Sequence, residues 1–174
     1  SDGEILVRGD TLMKGYLGKE KETKEKIKNN WLYTGDIGKV DKDNHLIITD
    51  RKKDIIVTTG GDNIAPQKIE SLFSTLETTA QVLIFGDNKP FLVALVIIKI
   101  DKESLRTDAM NEGEKIKLHI KKINKKLSPI EKIRKSAFVT LYQDDINAFL
   151  TPTMKIKRKK VYEKYKKDIE GLYN

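Results

Sequence analysis

The hydrophobic positions of this chain fall into two kinds of pattern: short strand-like runs, and residues that recur every three or four positions. Ile37–Val40 and Leu46–Thr49 are strand-like runs on either side of a polar stretch, which predicts a β-hairpin. Val82–Phe85 and Phe91–Ile100 flank a turn that begins with Gly86, and they predict a second hairpin. Because Phe91–Ile100 is apolar at almost every position, we expect it to be a central strand.

Helical patterns predominate in the second half of the chain. Pro66 is suited to the first position of a helix, and apolar residues then recur at the spacing of one helix face. Glu114–Leu127 shows the same spacing and ends before Pro129, since proline disfavours a helical conformation in the residue that precedes it. Ala137–Leu141 is a further strand candidate, and a last helix is predicted after Thr153. The apolar faces of the three helices are Ile69, Leu72, Phe73 and Leu76; Ile116, Ile120, Ile123 and Leu127; and Val161, Tyr165, Ile169 and Leu172.

Composition narrows the kinds of site that the chain can hold. It has 174 residues, 38% of them hydrophobic, which is enough for one good core or two small ones. The absence of cysteine excludes disulfides, thiol nucleophiles and thiolate metal sites, and because His45 and His119 are far apart we predict no metal site. No apolar stretch reaches the roughly 20 residues of a membrane-spanning helix. The start Ser-Asp-Gly-Glu does not resemble a targeting signal, so the expected location is cytoplasmic.

The net charge of +8 favours an anionic partner but does not identify it. Nucleic acid, a phospholipid surface and a phosphorylated small molecule all remain open on charge alone. Lysine is concentrated after Glu114 and is mixed with glutamate at helical spacing, which is typical of a solvated helix face. Aromatic residues make up 7% of the chain and are not interleaved with Lys or Arg as base stacking requires, so we predict no nucleic-acid partner.

Three polar segments lie beside predicted strand or helix ends, where functional groups are commonly exposed. In the first, Thr34-Gly35-Asp36, a carboxylate in a glycine-flanked turn can accept hydrogen bonds from two adjacent hydroxyl groups, as in sugar recognition, or can simply stabilise the turn. In the second, the backbone N–H groups of Gly60 and Gly61 are suited to line a phosphate or an extended amide chain. The segment is neither a Walker-type nor a Rossmann-type loop.

The third polar segment, Leu150–Lys160, contains a Thr-Pro-Thr turn immediately before Lys155. A lysine fixed at this point can stabilise charge that develops on a phosphate or carboxylate oxygen in a transition state. Residues 157–160 have a simpler interpretation, as a basic helix face or as contacts with an anionic surface. Only Lys155 is distinguished from them by the turn.

Several motifs follow one another along nearly the whole chain. They are EILVRG at 4–9, MKGY at 13–16, WLYTGDIG at 31–38, Asp41, DRKKD at 50–54, GGDNIAP at 60–66, IE at 69–70 and TPTMKIKR at 151–158. Their order and spacing resemble the adenylate-forming superfamily of acyl-CoA synthetases, luciferases and peptide-synthetase adenylation domains. The segments from residue 50 to 70 and from 150 to 160 are closer to long-chain acyl-CoA synthetases than to the acetyl, aryl or peptide-synthetase relatives.

The resemblance implies roles for individual residues. Asp36 would hold the ribose hydroxyl groups of ATP, and Arg51 would contact the nucleotide near its ribose and phosphates. Lys53 would be the hinge about which a small domain rotates. Gly60–Gly61 would lie along the pantetheine arm of CoA, and Lys155 would be the lysine of the adenylation step.

The resemblance also implies a fold and an activity. Residues 51–174 would form a small α+β lid domain with a short antiparallel sheet and flanking helices, and residues 1–50 would be the β-rich tail of a large N-terminal domain. The phosphate loop and acyl pocket of the family belong to that large domain and are not matched here, so the chain alone is expected to be inactive. The full-length enzyme would use a fatty acid, ATP with Mg²⁺, and CoA, with its own N-terminal domain as partner.

Two alternatives to this activity stay open. The acyl acceptor could be the phosphopantetheine arm of an acyl carrier protein instead of CoA, because lysine-rich helices suit an acidic carrier. A different class is a basic module that binds nucleic acid or an anionic membrane. Peripheral membrane contact through the lysine-rich last helix is also compatible with an enzyme that acts on fatty acids.

Overall fold

A computed structural model describes residues 2–74, 80–100 and 106–174. The chain divides into two units, Ser1–Ile55 and Ile56–Asn174, each with its own internal contacts. Leu76, which is predicted to lie on a buried helix face, is outside the described residues.

The first unit is a four-stranded antiparallel sheet around one long strand. Its elements are β1 (Glu4–Val7), α1 (Glu20–Lys26), β2 (Ile27–Lys28), β3 (Trp31–Val40), β4 (Leu46–Arg51) and a 3₁₀ turn (Lys52–Asp54). β3 pairs with β1, β2 and β4, and the β3–β4 pair confirms the first predicted hairpin. Oδ1 of Asp41 holds the hairpin turn by accepting hydrogen bonds from the backbone N–H groups of Asp43 (2.8 Å) and His45 (2.9 Å).

The second unit combines a three-stranded sheet, a two-stranded hairpin and several helices. Its elements are β5 (Ile56–Val57), β6 (Asn63–Ile64), α2 (Pro66–Glu70), a 3₁₀ turn (Ser71–Phe73), β7 (Ala80–Phe85), β8 (Leu92–Ile100), α3 (Arg106–Asn124), β9 (Ile133–Tyr142), α4 (Gln143–Asn147), α5 (Arg158–Lys164) and α6 (Lys166–Gly171). The strand order is β7-β8-β9, and the antiparallel β7–β8 pair confirms the second predicted hairpin.

Strand β9 pairs with β8 in parallel, so the sheet of the second unit is mixed and not wholly antiparallel. The connection between these strands contains α3, and a long helical crossover returns the chain to the end of the sheet from which β8 starts. The next strand then runs in the same direction as β8. Strand propensity predicts that β9 forms but carries no information on its direction. The combination of antiparallel pairs with separate helices otherwise confirms the α+β class.

Strand β8 separates two hydrophobic cores. The first core, with α2 and α3, receives Leu92, Ala94, Val96 and Ile98, and the second core, with α4, α5 and α6, receives Val93, Leu95 and Ile97. Successive side chains of a strand point to opposite faces of the sheet. A strand with both faces buried must therefore be apolar at consecutive positions, which explains the uniform run that predicted a central strand.

The helices differ in extent from the sequence prediction. α3 begins at Arg106, before the predicted start at Glu114, and it ends at Asn124. The predicted last helix is two short helices that meet at Tyr165, where φ is −105° and ψ is 23°. The interruption still allows Val161 and Ile169 to bury their side chains in the second core. Within the described residues, every helix is too short or too polar to cross a lipid bilayer.

Candidate functional site

Asp36 and Arg51, the two predicted nucleotide-binding residues, are in direct contact. They are opposite residues of β3 and β4, and Nε of Arg51 lies 2.8 Å from Oδ1 of Asp36. The Asp36 side chain is 22% exposed and that of Arg51 is 49% exposed. Arginine has five N–H donors in a fixed plane, so a contact through Nε orients the carboxylate and leaves other donors for an anionic ligand.

Asp36 lies within the continuous strand β3, so its interpretation as a simple turn residue is wrong. The preceding Gly35 has a φ of +76°, and its N–H donates to Oε1 of Glu4 on β1 (3.0 Å). The Thr34 hydroxyl donates to the carbonyl oxygen of Ile5 (2.8 Å) and accepts from the N–H of Asp36 (3.0 Å). These contacts with β1 mean that the carboxylate is presented by a firmly held strand.

Two neighbouring lysines after β4 have different surroundings. Nζ of Lys52 lies 2.6 Å from Oδ2 of Asp2 and 2.8 Å from Oε2 of Glu4, and these hydrogen bonds raise the pKa of Lys52 far above its ordinary value. The hydrogen bond from Lys52 also lowers the pKa of Glu4. Lys53, the predicted hinge, is exposed and lies just before Ile55, the last residue of the first unit. Lys52 is therefore committed to a contact with β1 and its N-terminal flank, whereas Lys53 faces solvent.

Gly60 and Gly61, the predicted CoA contacts, form the exposed tip of the β5–β6 hairpin. The N–H of Gly61 donates to the carbonyl oxygen of Thr58 (2.9 Å), and the N–H of Thr58 donates to the carbonyl oxygen of Asp62 (3.1 Å). Gly61 has a φ of +84°, and no atom lies within 4 Å of where a Cβ would stand. Glycine adopts this left-handed conformation without steric cost. The turn thus presents backbone without side-chain cover to an approaching ligand. The N–H of Gly61 is used within the turn, however, so the prediction that it lines a phosphate or an amide chain is wrong for this group.

The turn between β7 and β8 holds the glycine turn in place. The N–H of Val57 donates to Oδ1 of Asp87 (3.1 Å), and the N–H of Asn88 donates to the carbonyl oxygen of Val57 (2.8 Å). The N–H of Thr59 donates to the carbonyl oxygen of Lys89 (3.1 Å). Asp87 was not predicted as a functional residue, because an aspartate in a turn is commonplace and its partner lies 30 positions away in the sequence.

Lys155, the predicted catalytic residue, closes a tight turn that starts at Thr151. The N–H of Thr151 donates to the carbonyl oxygen of Lys155 (2.8 Å), and the N–H of Lys155 donates to Oγ1 of Thr151 (3.0 Å). Leu150 and Ile156 form a β-bridge at the base of the turn. Lys155 is exposed, and none of the ion pairs between described residues involves it. A fixed backbone therefore presents an ammonium group to solvent.

Arg158 is not part of an exposed basic face, so the simpler interpretation of residues 157–160 is wrong at this position. Its Nη2 lies 2.8 Å from Oε1 and 2.9 Å from Oε2 of Glu70, and its Nη1 donates to the carbonyl oxygen of Ile84 (2.8 Å). The side chains of Arg158 and Glu70 are 23% and 16% exposed. Lys159, in contrast, is exposed as predicted.

Asp41, Asp43 and His45 bring three potential metal-ligand atoms within 4.8 Å of one another in the β3–β4 turn. His45 therefore has acidic neighbours at turn spacing, which the prediction of no metal site overlooked. The Asp41 carboxylate accepts two backbone hydrogen bonds and lies 3.5 Å from Nδ1 of His45. Hydrogen bonding within the turn accounts for this grouping, and we assign it no metal.

The predicted site residues are distributed over both units. Asp36, Arg51 and Lys53 belong to the first unit, and Gly60–Gly61 and Lys155 lie on two turns of the second. They supply a carboxylate for hydroxyl groups, cationic groups for anions, and uncovered backbone for an extended chain.

Residues 53–174 match the family model described as AMP-binding enzyme C-terminal domain, which accounts for well over half of the chain. The chain belongs to this family. The match begins at Lys53, and it confirms the resemblance to adenylate-forming enzymes that the motifs indicate.

This AMP-binding enzyme C-terminal domain is similar to several long-chain-fatty-acid–CoA ligases. It is 46% identical over 97 residues to the ligase FadD15 of Mycobacterium tuberculosis, and the match covers 56% of this chain and 16% of that protein. It is 42% identical over 114 residues to ligase 1 of Cavia porcellus, and the match covers 64% of this chain and 16% of that protein. The chain spans about a sixth of the length of the curated relatives it matches.

Solved adenylation domains share its fold. The adenylation domain of a carboxylate reductase from Mycobacterium chelonae has a TM-score of 0.81 and 23% identity, covering 98% of this chain and 27% of that chain. The corresponding domain from Segniliparus rugosus was solved with AMP and a co-purified carboxylic acid. It has a TM-score of 0.81 and 22% identity, and the match covers 98% of this chain and 28% of that chain. At these identities the likeness establishes the fold alone.

Proposed function

We propose that this chain is the C-terminal part of an AMP-forming long-chain fatty acid–CoA ligase. The proposal depends above all on the 46% identity to a curated ligase of that name, together with the family match. In the first step the fatty acid carboxylate attacks the α-phosphate of ATP, supplied with Mg²⁺, and forms acyl-AMP and pyrophosphate. In the second step the thiol of CoA attacks the acyl carbonyl, forming the thioester and releasing AMP.

In the first step, Asp36 accepts hydrogen bonds from the ribose hydroxyl groups, and Arg51 binds the nucleotide near its ribose and phosphates. Their 2.8 Å contact supports this pairing of roles because the arginine orients the carboxylate. Lys155 stabilises the negative charge on the reacting carboxylate and phosphate oxygens. Its exposed ammonium group, which takes part in none of the ion pairs between described residues, and its rigid turn support this role, since preorganised charge is the main source of catalysis in a site that excludes water.

Between the two steps, the small domain rotates about Lys53, withdraws Lys155 and presents Gly60–Gly61 to the pantetheine arm of CoA. The exposed position of Lys53 next to the boundary of the first unit supports its role as a hinge. The uncovered backbone of the glycine turn supports its role in binding an extended amide chain. We further propose that residues 1–50 are the tail of a large N-terminal domain, residues 51–174 are the lid, and the chain alone is inactive.

The test is to replace Lys155 with alanine in the full-length enzyme, with Lys159→Ala as the matched control. Fatty-acid-dependent pyrophosphate release should fall by about 100-fold or more, the usual effect of removing one charge-stabilising group. Thioester formation from preformed acyl-AMP should change by less than about threefold, because Lys155 is withdrawn in that step. The control removes a nearby exposed lysine and should leave both half-reactions unchanged.

Three results would contradict parts of the proposal. Equal loss of both half-reactions in Lys155→Ala would exclude a role specific to adenylation. No AMP release from the full-length enzyme with any fatty acid would exclude the ligase activity. Transfer to an acyl carrier protein with no response to CoA would replace the acceptor and leave the adenylation step in place.

Cytoplasmic location and peripheral membrane contact also stay predictions. Sedimentation with anionic liposomes at low salt tests the membrane contact, because lysine-rich surfaces bind anionic headgroups more strongly when screening is weak. Pelleting with anionic but not with neutral liposomes would support the contact. No pelleting with anionic liposomes would exclude it.

A further inference from the structure

Arg158, the first residue of α5, makes three hydrogen bonds to two other elements. Its Nη2 binds both carboxylate oxygens of Glu70 on α2, at 2.8 and 2.9 Å, and its Nη1 donates to the carbonyl oxygen of Ile84 on β7 at 2.8 Å. Its Cζ also lies 5.8 Å from the centroid of the Phe85 ring. A planar guanidinium group that donates to both a carboxylate and a carbonyl is fixed in position and in orientation.

Glu70 completes this arrangement on β7. Its Oε1 accepts a hydrogen bond from the N–H of Ile84 at 2.7 Å, so the two side chains bind both backbone polar groups of that residue. β7 is at the edge of the β7-β8-β9 sheet, and Glu70 and Arg158 satisfy backbone groups on its outer side. The Glu70–Arg158 pair therefore ties the start of α5 to α2 and to β7.

Only two residues separate Lys155 from Arg158, and backbone contacts hold both of them. Ile156 forms a β-bridge with Leu150, and Lys157 donates its N–H to the carbonyl oxygen of Phe149 at 2.8 Å. Phe149 is buried in the second core. Because this segment is short and bonded at each position, we expect movement of Arg158 away from β7 to displace the turn that carries Lys155.

We propose that Arg158 and Glu70 are positioning residues for Lys155 in the adenylate-forming step. The inference rests on the proposed function of Lys155 and adds two residues that do not touch the substrate. Arg158 directs its hydrogen bonds into its own domain and acts on the reaction only through the position of Lys155. Displacement of a catalytic group by about 1 Å can reduce the rate by about 100-fold, so a fixed anchor next to the turn has a kinetic effect.

Arg158→Lys in the full-length enzyme is the first test, because it keeps the charge and removes the planar fork. A lysine cannot reproduce the two hydrogen bonds to Glu70 and the one to Ile84 with the same geometry. We expect kcat for fatty-acid-dependent pyrophosphate release to fall by about 10- to 100-fold. The KM for ATP and the rate of thioester formation from preformed acyl-AMP should each change by less than about twofold.

Glu70→Gln is the second variant, and it nearly preserves the shape of the side chain. With its carbonyl oxygen in the place of Oε1, its amide NH₂ group would meet Nη2 of Arg158 donor against donor, so one of the two contacts of Nη2 with residue 70 is lost. We expect the same selective loss of pyrophosphate release. The two variants alter opposite partners of the pair, so agreement between them links the effect to the contact.

A double-mutant comparison separates positioning from general loss of structure. In a Lys155→Ala background, Arg158→Lys should change pyrophosphate release by less than about twofold, because the group that it positions is absent. The inference would be overturned if Arg158→Lys reduced pyrophosphate release as much in the Lys155→Ala background as in the wild type. A parallel loss of both half-reactions in Arg158→Lys and Glu70→Gln would also overturn it and leave a structural role only.

Failure of the proposed function gives a different result. Unchanged adenylation by Lys155→Ala would remove the catalytic role of Lys155 itself. A defect in Lys155→Ala together with wild-type adenylation by both Arg158→Lys and Glu70→Gln would overturn the positioning role alone.

Discussion

Gly61→Ala, with its neighbour Gly60→Ala as matched control, tests why the exposed turn of the β5–β6 hairpin contains two glycines. At Gly61 the φ is +84° and an added Cβ has no atom within 4 Å, so only backbone strain opposes alanine. An L-residue in the left-handed conformation costs about 1–2 kcal/mol, and the lower entropy of alanine in the unfolded chain offsets about 0.4–1 kcal/mol of this. We expect Gly61→Ala to lower the free energy of unfolding by about 1 kcal/mol.

At Gly60 the balance is different. Its φ is outside the left-handed region, and an added Cβ would stand 3.3 Å from Oδ2 of Asp62 and 3.6 Å from Oγ1 of Thr58. The closer atom is the end of a side chain, which can shift by a few tenths of an ångström. The entropy gained in the unfolded chain then roughly balances the contact, and we expect Gly60→Ala to stay within about 0.5 kcal/mol of the wild type.

The assay is urea unfolding of the chain followed by far-ultraviolet circular dichroism. The longest helix, Arg106–Asn124, belongs to the same unit as the glycine turn, so the helical signal reports largely on the unit that contains the substitution. Unfolding free energies come from the midpoint and slope of each transition. Equal destabilisation by the two substitutions, or a larger loss of unfolding free energy in Gly60→Ala, would refute the reasoning. Steric contact of the added Cβ, and not the backbone angle φ, would then explain why these positions are glycine.

Two further predictions concern pH and packing. Hydrogen bonds from Lys89 and Tyr162 hold the pKa of Glu170 below its ordinary value, so its stabilising contribution is present above the unfolded pKa and is lost as the pH falls through the folded pKa. Glu170→Gln should flatten the dependence of the urea midpoint on pH below about pH 5, and an unchanged profile would count against this assignment. Leu95→Ala removes a side chain with 0% exposure from the second core and should cost about 2–5 kcal/mol of unfolding free energy. Leu118→Ala, at 58% exposure, should change the same quantity by less than about 0.5 kcal/mol, and similar losses for the two leucines would contradict the assigned burial.

Local patterns along the sequence predicted most elements of the fold. The run that contains Leu92–Ile100 predicted a central strand, because a strand buried on both faces needs apolar residues at successive positions. Turn residues predicted both hairpins. Helix ends were less accurate, since α3 is longer than its apolar repeat and the last helix is interrupted at Tyr165.

The candidate site was predictable only as separate segments. The motifs placed Asp36, Arg51, Gly60–Gly61 and Lys155 in polar stretches beside predicted elements, and the family match agrees with those motifs. Motif spacing did not show that Asp36 and Arg51 touch. That contact follows from the register of β3 and β4, which includes an irregularity after Ile37.

The sequence by itself determined where most strands and helices form and which family the chain belongs to, because these depend on residues that are close along the chain or on motifs in a set order. Tertiary structure alone decided the parallel direction of β9, the contact of Asp87 with Val57 and the pairing of Glu70 with Arg158. The last two residues are 88 positions apart, and each is unremarkable in its own segment. Packing of the helices against the sheet brings them together, and Nη2 of Arg158 then contacts both carboxylate oxygens of Glu70, a pairing that no local pattern encodes.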